Sequence, residues 1–435
     1  MFCLSACFAW LLALPVLYAT PSSSSSLPQV QLHQYQLANG LRLLLQPIPE
    51  SGLVQLQLRY EVGEADVKRS GLPHLTEHLL VMGSHFSAAW WAERNGWTAY
   101  DRTVFTSLFP AEALKRALFE ESVRMQHPCQ GIAEDELVKQ KNMLLLEYQS
   151  AVSQSFTYHI DVMRKVVFHS TPVGRPVYGQ ANEFMSLTKQ HVCRFLTRWY
   201  IPNNAELVLV GDFHPQEVKK DIERWFAGIP SRPLPKRLVT AAQIRSQPRQ
   251  NSALYIPAKE EAASLYIGWL TPPRGHADRL PLQLLSELLV HPQEGLLAKT
   301  GVSAFGHLES HRFGGMFVLE LVGTKHSQLI HIVQQQLQKL KQVKTWQLQS
   351  FQRRMFSRYR RGLQSFQLRS QLLSGCVPVG KTSCLHNKMT QRQAVTTADL
   401  QRLARRYLSP QQAHYISVAP SLSHALSGAQ PYVTP

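Results

Sequence analysis

The chain has 435 residues and a formal net charge of +17. Beyond an apolar start, a little over 400 residues remain, which suits two domains of about 200 residues each. Lys and Arg are scattered, without a platform of basic and aromatic residues, which argues against a nucleic-acid partner. An anionic membrane surface or acidic peptides fit the charge better, and a solvated helix face is the alternative. The densest basic group, on a predicted helix, consists of Arg353, Arg354, Arg358, Arg360 and Arg361.

The N-terminus has the composition of an export signal. Residues 1–19 are almost wholly apolar and end in Ala19 before Thr20-Pro21, which predicts a secretory signal peptide, and the serine-rich residues 20–28 predict a disordered start. No Lys or Arg precedes Arg42, so an uncleaved membrane anchor is the alternative. We therefore expect an exported protein, periplasmic or secreted.

Cysteine usage leaves two interpretations open. Four cysteines follow the apolar start, and in an oxidising compartment they could form disulfides. Cys376 and Cys384 would close the shortest loop, and four buried thiols are the alternative. The other two cysteines are Cys129 and Cys193.

Hydrophobic periodicity divides the chain into two similar halves. The Asn39-Gly40 turn joins two strands, and alternation through Val54–Val62 predicts a half-buried strand. Helices and strands then continue to Phe226, and the same order returns after a stretch rich in Pro, Arg and Gln. We expect an α+β fold in which each half packs an antiparallel sheet against helices. The predicted segments are a first domain at 29–228, a linker at 229–250, a second domain at 251–420 and a tail at 421–435.

The stretch from Gly71 to Gly83 contains the pattern His-x-x-Glu-His. His74 and His78 are four residues apart, so on a helix they lie on one face, one turn apart. Two imidazoles at this spacing can bind one zinc ion, with Glu77 within reach of a water molecule on it. The order is the reverse of the His-Glu-x-x-His zinc-protease signature. The alternative is a core helix that carries two hydrogen-bonded histidines.

Glu147 is the best candidate for a third zinc ligand. Catalytic zinc sites usually add a further His or carboxylate to two histidines. Glu147 follows Met143–Leu146 in an apolar helical run, where a carboxylate costs several kcal/mol unless it is paired or metal-bound. The other acidic residues of this region lie at helix starts or among polar neighbours, where a solvated carboxylate is ordinary.

Several segments together resemble the pitrilysin/insulinase (M16-type) family of zinc peptidases, over nearly the whole chain after the apolar start. Leu37–Leu41 is similar to the opening hairpin of the family, and Gly71–Ser84 is similar to its metal helix. Asn95-Gly-Trp-Thr98 and Asp101–Phe105 resemble its Asn-Ala-x-Thr segment and the strand that follows. Tyr200–Ala205 and Val210–Asp212 resemble the end of its first half.

The resemblance implies a clam-shell of two halves that encloses a peptide substrate. It implies zinc (Zn²⁺) held by His74, His78 and Glu147, with Glu77 as the general base. It also implies that the substrate adds a strand to the sheet edge near Asn95, which makes Asn95 a candidate substrate contact.

The sequence departs from the family pattern at several positions. The connection between Gly83 and Asn95 is shorter than usual, and Gln140 replaces a glutamate that the family often places seven residues before the distal ligand. In the second half, Leu297 and Ala304 occupy the positions of an Arg and a Tyr that contact the scissile bond in active members. This resembles heterodimeric members of the family, in which one subunit carries the zinc motif and its partner supplies the Arg and Tyr.

We therefore expect an exported zinc metalloendopeptidase of the His-x-x-Glu-His type, acting on peptides or small unfolded proteins. It would be the zinc-bearing catalytic subunit of a heterodimer. The alternative is a non-catalytic peptide-binding or structural subunit that keeps a metal only as a clasp. A complete catalytic set with Glu77 argues against that alternative, and the missing Arg and Tyr argue for it.

Overall fold

The computed structural model describes residues 31–82, 93–169, 171–246, 252–374 and 390–432. Several predictions concern residues outside these ranges. They are the signal peptide at 1–19, the disordered start at 20–28, most of the short connection between Gly83 and Asn95, and the pair Cys376 and Cys384.

The described residues form twelve strands, one of which has only two residues, and thirteen helices, in addition to short 3-10 turns. The strands are β1 (His33–Gln36), β2 (Arg42–Pro47), β3 (Leu53–Tyr60), β4 (Glu93–Thr98), β5 (Thr103–Pro110), β6 (Ala205–Gly211), β7 (Ala253–Pro257), β8 (Ser264–Thr271), β9 (Ala304–Ser310), β10 (Gly315–Val322), β11 (His414–Ala419) and β12 (Gln430–Pro431). The helices are α1 (Leu72–Met82), α2 (Leu114–Gln126), α3 (Glu134–Ser153), α4 (Ser155–Val167), α5 (Ala181–Met185), α6 (Lys189–Trp199), α7 (Pro215–Phe226), α8 (Ala241–Ser246), α9 (Arg279–Val290), α10 (His326–Lys339), α11 (Thr345–Gly362), α12 (Phe366–Leu373) and α13 (Thr397–Tyr407).

The first sheet has the strand order β1-β2-β6-β3-β5-β4. Its neighbours are antiparallel except β2 and β6, which run parallel with Arg42 opposite Glu206. A parallel pair needs a crossover connection, and here the chain between the two strands includes α1 to α6. Within the part of the chain that the structure describes, β4 forms one edge of this sheet.

The second sheet repeats this arrangement. Its order is β12-β7-β11-β8-β10-β9, so that the run from β7 to β9 corresponds to the run from β2 to β4 in the first sheet. The pair β7 and β11 is parallel, as is the pair β2 and β6. The α+β fold of two similar halves is therefore confirmed. The sheets are mixed rather than purely antiparallel, because in each half a late strand returns beside an early one.

Each half contributes one helix to the sheet of the other half. Helix α4 of the first half packs on β8, β10 and β11, and helix α12 of the second half packs on β3 and β6. The contact of α4 is close at Gly268, where a Cβ atom would lie 2.3 Å from Sδ of Met163. His159 of α4 also hydrogen-bonds to the Tyr266 hydroxyl through Nδ1 at 3.2 Å. This exchange joins the two halves through a shared apolar cluster.

Strand β3 is buried on both faces as a result. Gln57 and Arg59 lie on its polar side and are 1% and 4% exposed. Ser370 of α12 donates a hydrogen bond to Gln57 Oε1 at 3.3 Å, and Arg59 donates to Oγ of Ser374 at 3.2 Å. The prediction of a half-buried strand over Val54–Val62 was wrong in this respect, because α12 covers the polar face.

Helix α9 is the counterpart of α1 in the second half. It follows β8 as α1 follows β3, and its first turn contains Leu280-Pro281 as the first turn of α1 contains Leu72-Pro73. Leu282 follows its Leu-Pro pair as His74 follows Leu72-Pro73, and Leu282 is buried. Helix α9 contains no histidine. The repeated fold therefore carries the His-x-x-Glu-His pattern in the first half alone.

The predicted linker packs against the protein in its described part. Val239 and Ile244 are each 2% exposed, and residues Ala241–Ser246 form α8. Among the described residues, no helix has the length and apolar character that crossing a membrane would require.

Two of the cysteines lie within bonding distance. Cys129, in the turn before α3, pairs with Cys193 on α6 as a disulfide with a Cα–Cα distance of 5.4 Å. This pair joins two segments that are 64 residues apart in sequence. It settles the pairing of Cys129 and Cys193 in favour of a disulfide rather than two buried thiols.

Candidate metal centre

Helix α1 holds the His-x-x-Glu-His pattern against the first sheet. Pro73 occupies its first turn, where the missing N–H removes no helical hydrogen bond. Leu75, Leu79 and Leu80 are at most 2% exposed and fix one face of the helix in the core. The opposite face therefore presents His74, Glu77 and His78 toward α3 and β4, both of which contact α1.

His74, His78 and Glu147 converge on one point. Nε2 of His74 lies 3.5 Å from Oε2 of Glu147, and Nε2 of His78 lies 3.5 Å from Oε1 of the same carboxylate. One ligand atom from each of the three residues lies within 4.8 Å of the others. Two atoms bound at about 2.1 Å to one tetrahedral ion lie about 3.4 Å apart. The two-nitrogen, one-oxygen donor set therefore fits a zinc ion.

The imidazole of His74 is suited to metal binding because it is neutral. Burial, followed by the neighbouring His78, lowers the pKa of His74 to about 3, against the opposing effect of the Tyr178 backbone carbonyl. The two imidazole rings meet edge to face, with centroids 4.7 Å apart. A neutral ring keeps a nitrogen lone pair for a cation at physiological pH.

Glu77 lies beside this cluster without being part of it. Its Oε2 atom is 3.7 Å from Nε2 of His74, and it accepts a hydrogen bond from the Thr98 hydroxyl at 3.4 Å. Burial, followed by the charge of Glu147, raises the pKa of Glu77 to about 7, although the Thr98 hydrogen bond opposes this. A carboxylate with a pKa near neutrality can both accept and release a proton.

Strand β4 passes very close to Glu77 because it has a glycine at that point. A Cβ atom on Gly96 would lie 2.9 Å from Oε1 of Glu77 and 2.7 Å from Cγ2 of Val81. A larger residue at position 96 would therefore press on the glutamate or on the helix that carries it.

Glu147 reaches the cluster, but not from the environment that the sequence indicated. Its side chain is 47% exposed, and Met143 and Leu146 are also exposed. The premise of a carboxylate buried in an apolar run was wrong, because this face of α3 is not covered by other described residues. The apolar residues belong to an exposed helix face, and Glu147 lies at its boundary with α1.

Asn95 lies on β4, exposed, at the edge of the first sheet. Its Oδ1 atom accepts a hydrogen bond from the Gly96 backbone N–H at 2.8 Å. It does not contact the three ligand residues directly. Its role as a substrate contact stays a prediction, and its place on an edge strand is the geometry that such a contact requires.

Leu297 and Ala304, which replace the Arg and Tyr of active family members, have no side-chain hydrogen-bond donors. Leu297 is fully buried in the core of the second half, and Ala304 begins β9. Arg312 and His307 of the same half could substitute for these missing donors, but each contacts a carboxylate elsewhere in the protein. Arg312 forms an ion pair with Asp66, and His307 lies 3.5 Å from Glu309.

Two residues that contact the centre were not predicted from the sequence. Gln140 contacts Nδ1 of His78, and Thr98 contacts Glu77. In the sequence Gln140 is only a departure from the family pattern, although its spacing of seven residues from Glu147 places both on one side of α3. Thr98 lay within the recognised Asn95–Thr98 segment, where no pattern distinguished it.

The fold of two α+β halves and the cluster of His74, His78 and Glu147 can now be compared with known proteins. A family model described as the peptidase M16 inactive domain matches residues 186–355. An uncharacterized zinc protease of Rickettsia bellii is 25% identical over 205 residues, which cover 45% of this chain and 49% of that protein. A crystal structure of a protease from Helicobacter pylori covers 90% of this chain and 100% of its own, with a TM-score of 0.79 and 19% identity.

The resemblance to the pitrilysin/insulinase family is thus confirmed: residues 186–355 match the inactive domain of M16 peptidases, and homologues of the chain are zinc proteases of that family. The chain spans about half the length of the Rickettsia relatives it matches. A probable mitochondrial-processing peptidase subunit beta of Arabidopsis thaliana is 20% identical over 209 residues, which cover 45% of this chain and 39% of that protein. The residues matched by the inactive-domain model begin after the zinc motif and after Glu147.

Proposed function

We propose that this chain is a zinc-dependent endopeptidase subunit that cleaves peptides or small unfolded proteins. The observation that carries the proposal is the convergence of His74, His78 and Glu147 beside a buried fourth residue, Glu77. A metal that served only as a structural clasp would be closed by protein ligands and would need no buried carboxylate next to it.

The four residues divide the chemistry between them. His74, His78 and Glu147 would hold the ion, and when bound it would supply Lewis-acid polarisation of the substrate carbonyl and acidify a water molecule. Glu77 would accept the proton of the attacking water and later deliver it to the leaving amine. The Thr98 hydroxyl would hold the Glu77 carboxylate in position for both transfers.

The substrate would bind as an added strand along β4. The edge position of β4 supports this, because an edge strand offers unpaired backbone groups to an extended peptide. Asn95 would contact that peptide. Gly96 lets the backbone of β4 pass close to Glu77, which would bring the bound peptide near the general base.

A homologous partner subunit would complete the site. Attack on an amide places negative charge on the carbonyl oxygen, and loss of one preorganised donor typically costs about 100- to 1000-fold in turnover. Leu297 and Ala304 supply no such donor, and the pairing of Arg312 with Asp66 opposes its use as a substitute. The similarity to a processing-peptidase subunit supports an assembly of unlike chains. So does the exposed apolar face of α3 next to Glu147, which is formed by Val138, Met143 and Leu146.

We further propose that the protein is exported, to the periplasm or the medium, with residues 1–19 as its signal peptide or membrane anchor. The disulfide between Cys129 and Cys193 supports an oxidising compartment. Attraction to an anionic surface has weaker support, because Arg354 and Arg358 on α11 pair with Glu294 and Glu287.

A non-catalytic subunit is the second candidate. The match to an inactive M16 domain favours it, but that match covers residues 186–355 and leaves out all four residues of the candidate centre. Leu297, which replaces a hydrogen-bond donor of active members, lies inside that segment. A partner that supplies the donor would therefore account for both the inactive-domain match and the complete set of residues at the candidate centre.

Metal analysis and a peptidase assay on the same set of variants test the proposal. We expect one zinc per wild-type chain and loss of zinc in His74→Ala and Glu147→Ala. Glu77→Gln should keep full zinc occupancy and lose cleavage by a factor of at least about 100, because an amide cannot take the proton. The assay uses a quenched peptide library, with the chain alone and with a homologous subunit that carries Arg and Tyr.

Three outcomes would contradict parts of this reasoning. Full zinc occupancy in Glu147→Ala would show that the third ligand is wrong. Cleavage by Glu77→Gln at the wild-type rate would remove the general base. Absence of cleavage by the wild-type chain with every homologous partner tested would favour the non-catalytic candidate.

A further inference from the structure

Gln140 lies behind the imidazole of His78, on the side away from the converging ligand atoms. Its Oε1 atom is 3.2 Å from Nδ1 of His78, and its Nε2 atom donates a hydrogen bond to Oε1 of Glu136 at 2.7 Å. Glu136 and Gln140 are one helical turn apart on α3, and Glu147 follows two turns later on the same side. One helix therefore carries both a candidate ligand and a chain of hydrogen bonds to another ligand.

The orientation of the Gln140 amide follows from its two neighbours. The carboxylate oxygen of Glu136 accepts the hydrogen bond, so the NH₂ group of Gln140 faces Glu136. The amide oxygen therefore faces His78. Because Gln140 is 6% exposed, water has little access to compete for either end of the amide.

This orientation decides which nitrogen of His78 carries the proton. An amide oxygen only accepts, so Nδ1 of His78 must be the donor. In the neutral ring Nε2 then has the free lone pair, and Nε2 is the atom that lies 3.5 Å from Glu147. We propose that Gln140, oriented by Glu136, is a positioning residue that selects the metal-binding tautomer of His78.

The arrangement also moves a negative charge away from the centre. A carboxylate bonded directly to a ligand histidine makes the ring more basic and adds charge next to the metal. Here a neutral amide stands between His78 and Glu136, whose side chain is 24% exposed and also lies 3.7 Å from Lys139. The relay thus fixes the orientation of the ring while keeping the carboxylate one hydrogen bond further out.

The test combines two measurements, and its zinc part rests on the proposed function. The first is the tautomer of His78 in the metal-free full-length chain, read from the ¹⁵N chemical shifts of labelled histidine with His78→Gln for assignment. We expect the Nδ1–H form in the wild type and a mixture of forms in Gln140→Leu. The second is zinc affinity by competition with a chelator, for which we expect a loss of about 10- to 100-fold in Gln140→Leu.

Two further variants separate positioning from a merely structural role. Exchange of the pair, Glu136→Gln with Gln140→Glu, keeps an acceptor on Nδ1 of His78 and should bind zinc at least as tightly as the wild type. Asn142→Leu, on the exposed face of the same helix, is the matched control and should change neither readout. If Gln140→Leu does not fold, Glu136→Ala, at a partly exposed position, replaces it and should give a smaller shift in the same direction.

The results distinguish the two proposals. An unchanged tautomer in a folded Gln140→Leu chain, or zinc affinity equal to that of the wild type, would overturn the positioning role. A wild-type chain that shows the Nδ1–H form but does not bind zinc would support the positioning role and refute the proposed function.

Discussion

The ion pair between Arg164 and Glu309 gives a sharp test of how the two halves hold together. Arg164 of α4 donates to both oxygens of Glu309 on β9, at 3.1 and 2.8 Å, and the side chains are 8% and 10% exposed. Burial raises the pKa of Glu309, but Arg164 together with His307 and His311 outweighs burial and holds it well below its ordinary value. Arg164→Leu would leave this carboxylate buried without its main partner. We expect a loss of about 3–5 kcal/mol in the free energy of unfolding.

Urea unfolding and calorimetry at neutral pH would measure this loss, which corresponds to a decrease in Tm of about 4–6 °C for a chain of this length. The double variant Arg164→Leu/Glu309→Leu is the control, because it removes the buried Glu309 carboxylate together with its partner. Asp161, the other carboxylate paired with Arg164, keeps its hydrogen bond from the Tyr178 hydroxyl in both variants. The double variant should recover most of the stability. A single variant within about 1 kcal/mol of the wild type, or a double variant less stable than the single one, would refute the reasoning.

Three other predictions concern the disulfide, the second half and strand β4. The double variant Cys129→Ser/Cys193→Ser should lose about 2–4 kcal/mol in urea unfolding without reductant, because the bond closes a long loop in the unfolded chain; equal stability would contradict this. Leu297→Arg should lower Tm without creating activity, because it places an unpaired charge in a fully buried position; a stable, active single chain would disprove it. Gly96→Val should keep zinc and reduce cleavage at least about 10-fold by displacing Glu77, with Gly96→Ala weaker, and a wild-type rate in Gly96→Val would show that the strand can move away.

Much of the fold could be predicted because periodicity reflects local burial. The helix that carries His74 and His78 and the repeat of the two halves both followed from such patterns. The burial of strand β3 could not be predicted from local periodicity. Gln57 and Arg59 alternate with apolar residues as on a solvent-facing strand, yet both are buried under α12. That helix lies some 313 residues further along the chain, and no local pattern reveals a contact at that distance.

The candidate centre could likewise be predicted from the sequence only in part. The spacing of His74, Glu77 and His78 is local, so the sequence alone predicts their common face. Glu147 was selected for a burial that it does not have, since its side chain is about half exposed. The bond between Gln140 and His78 depends on how α3 packs against α1, and that packing is a property of the whole half rather than of either segment.

The exchange of α4 and α12 has a consequence for the order in which the chain folds during synthesis. When the first sheet emerges from the ribosome, the helix that covers Gln57 and Arg59 has not yet been made. Burial of this polar face therefore waits for the last quarter of the chain. The first half should remain partly open until Ser370 and Ser374 arrive, and a chain truncated before α12 should expose β3 and β6 to chaperones and proteases.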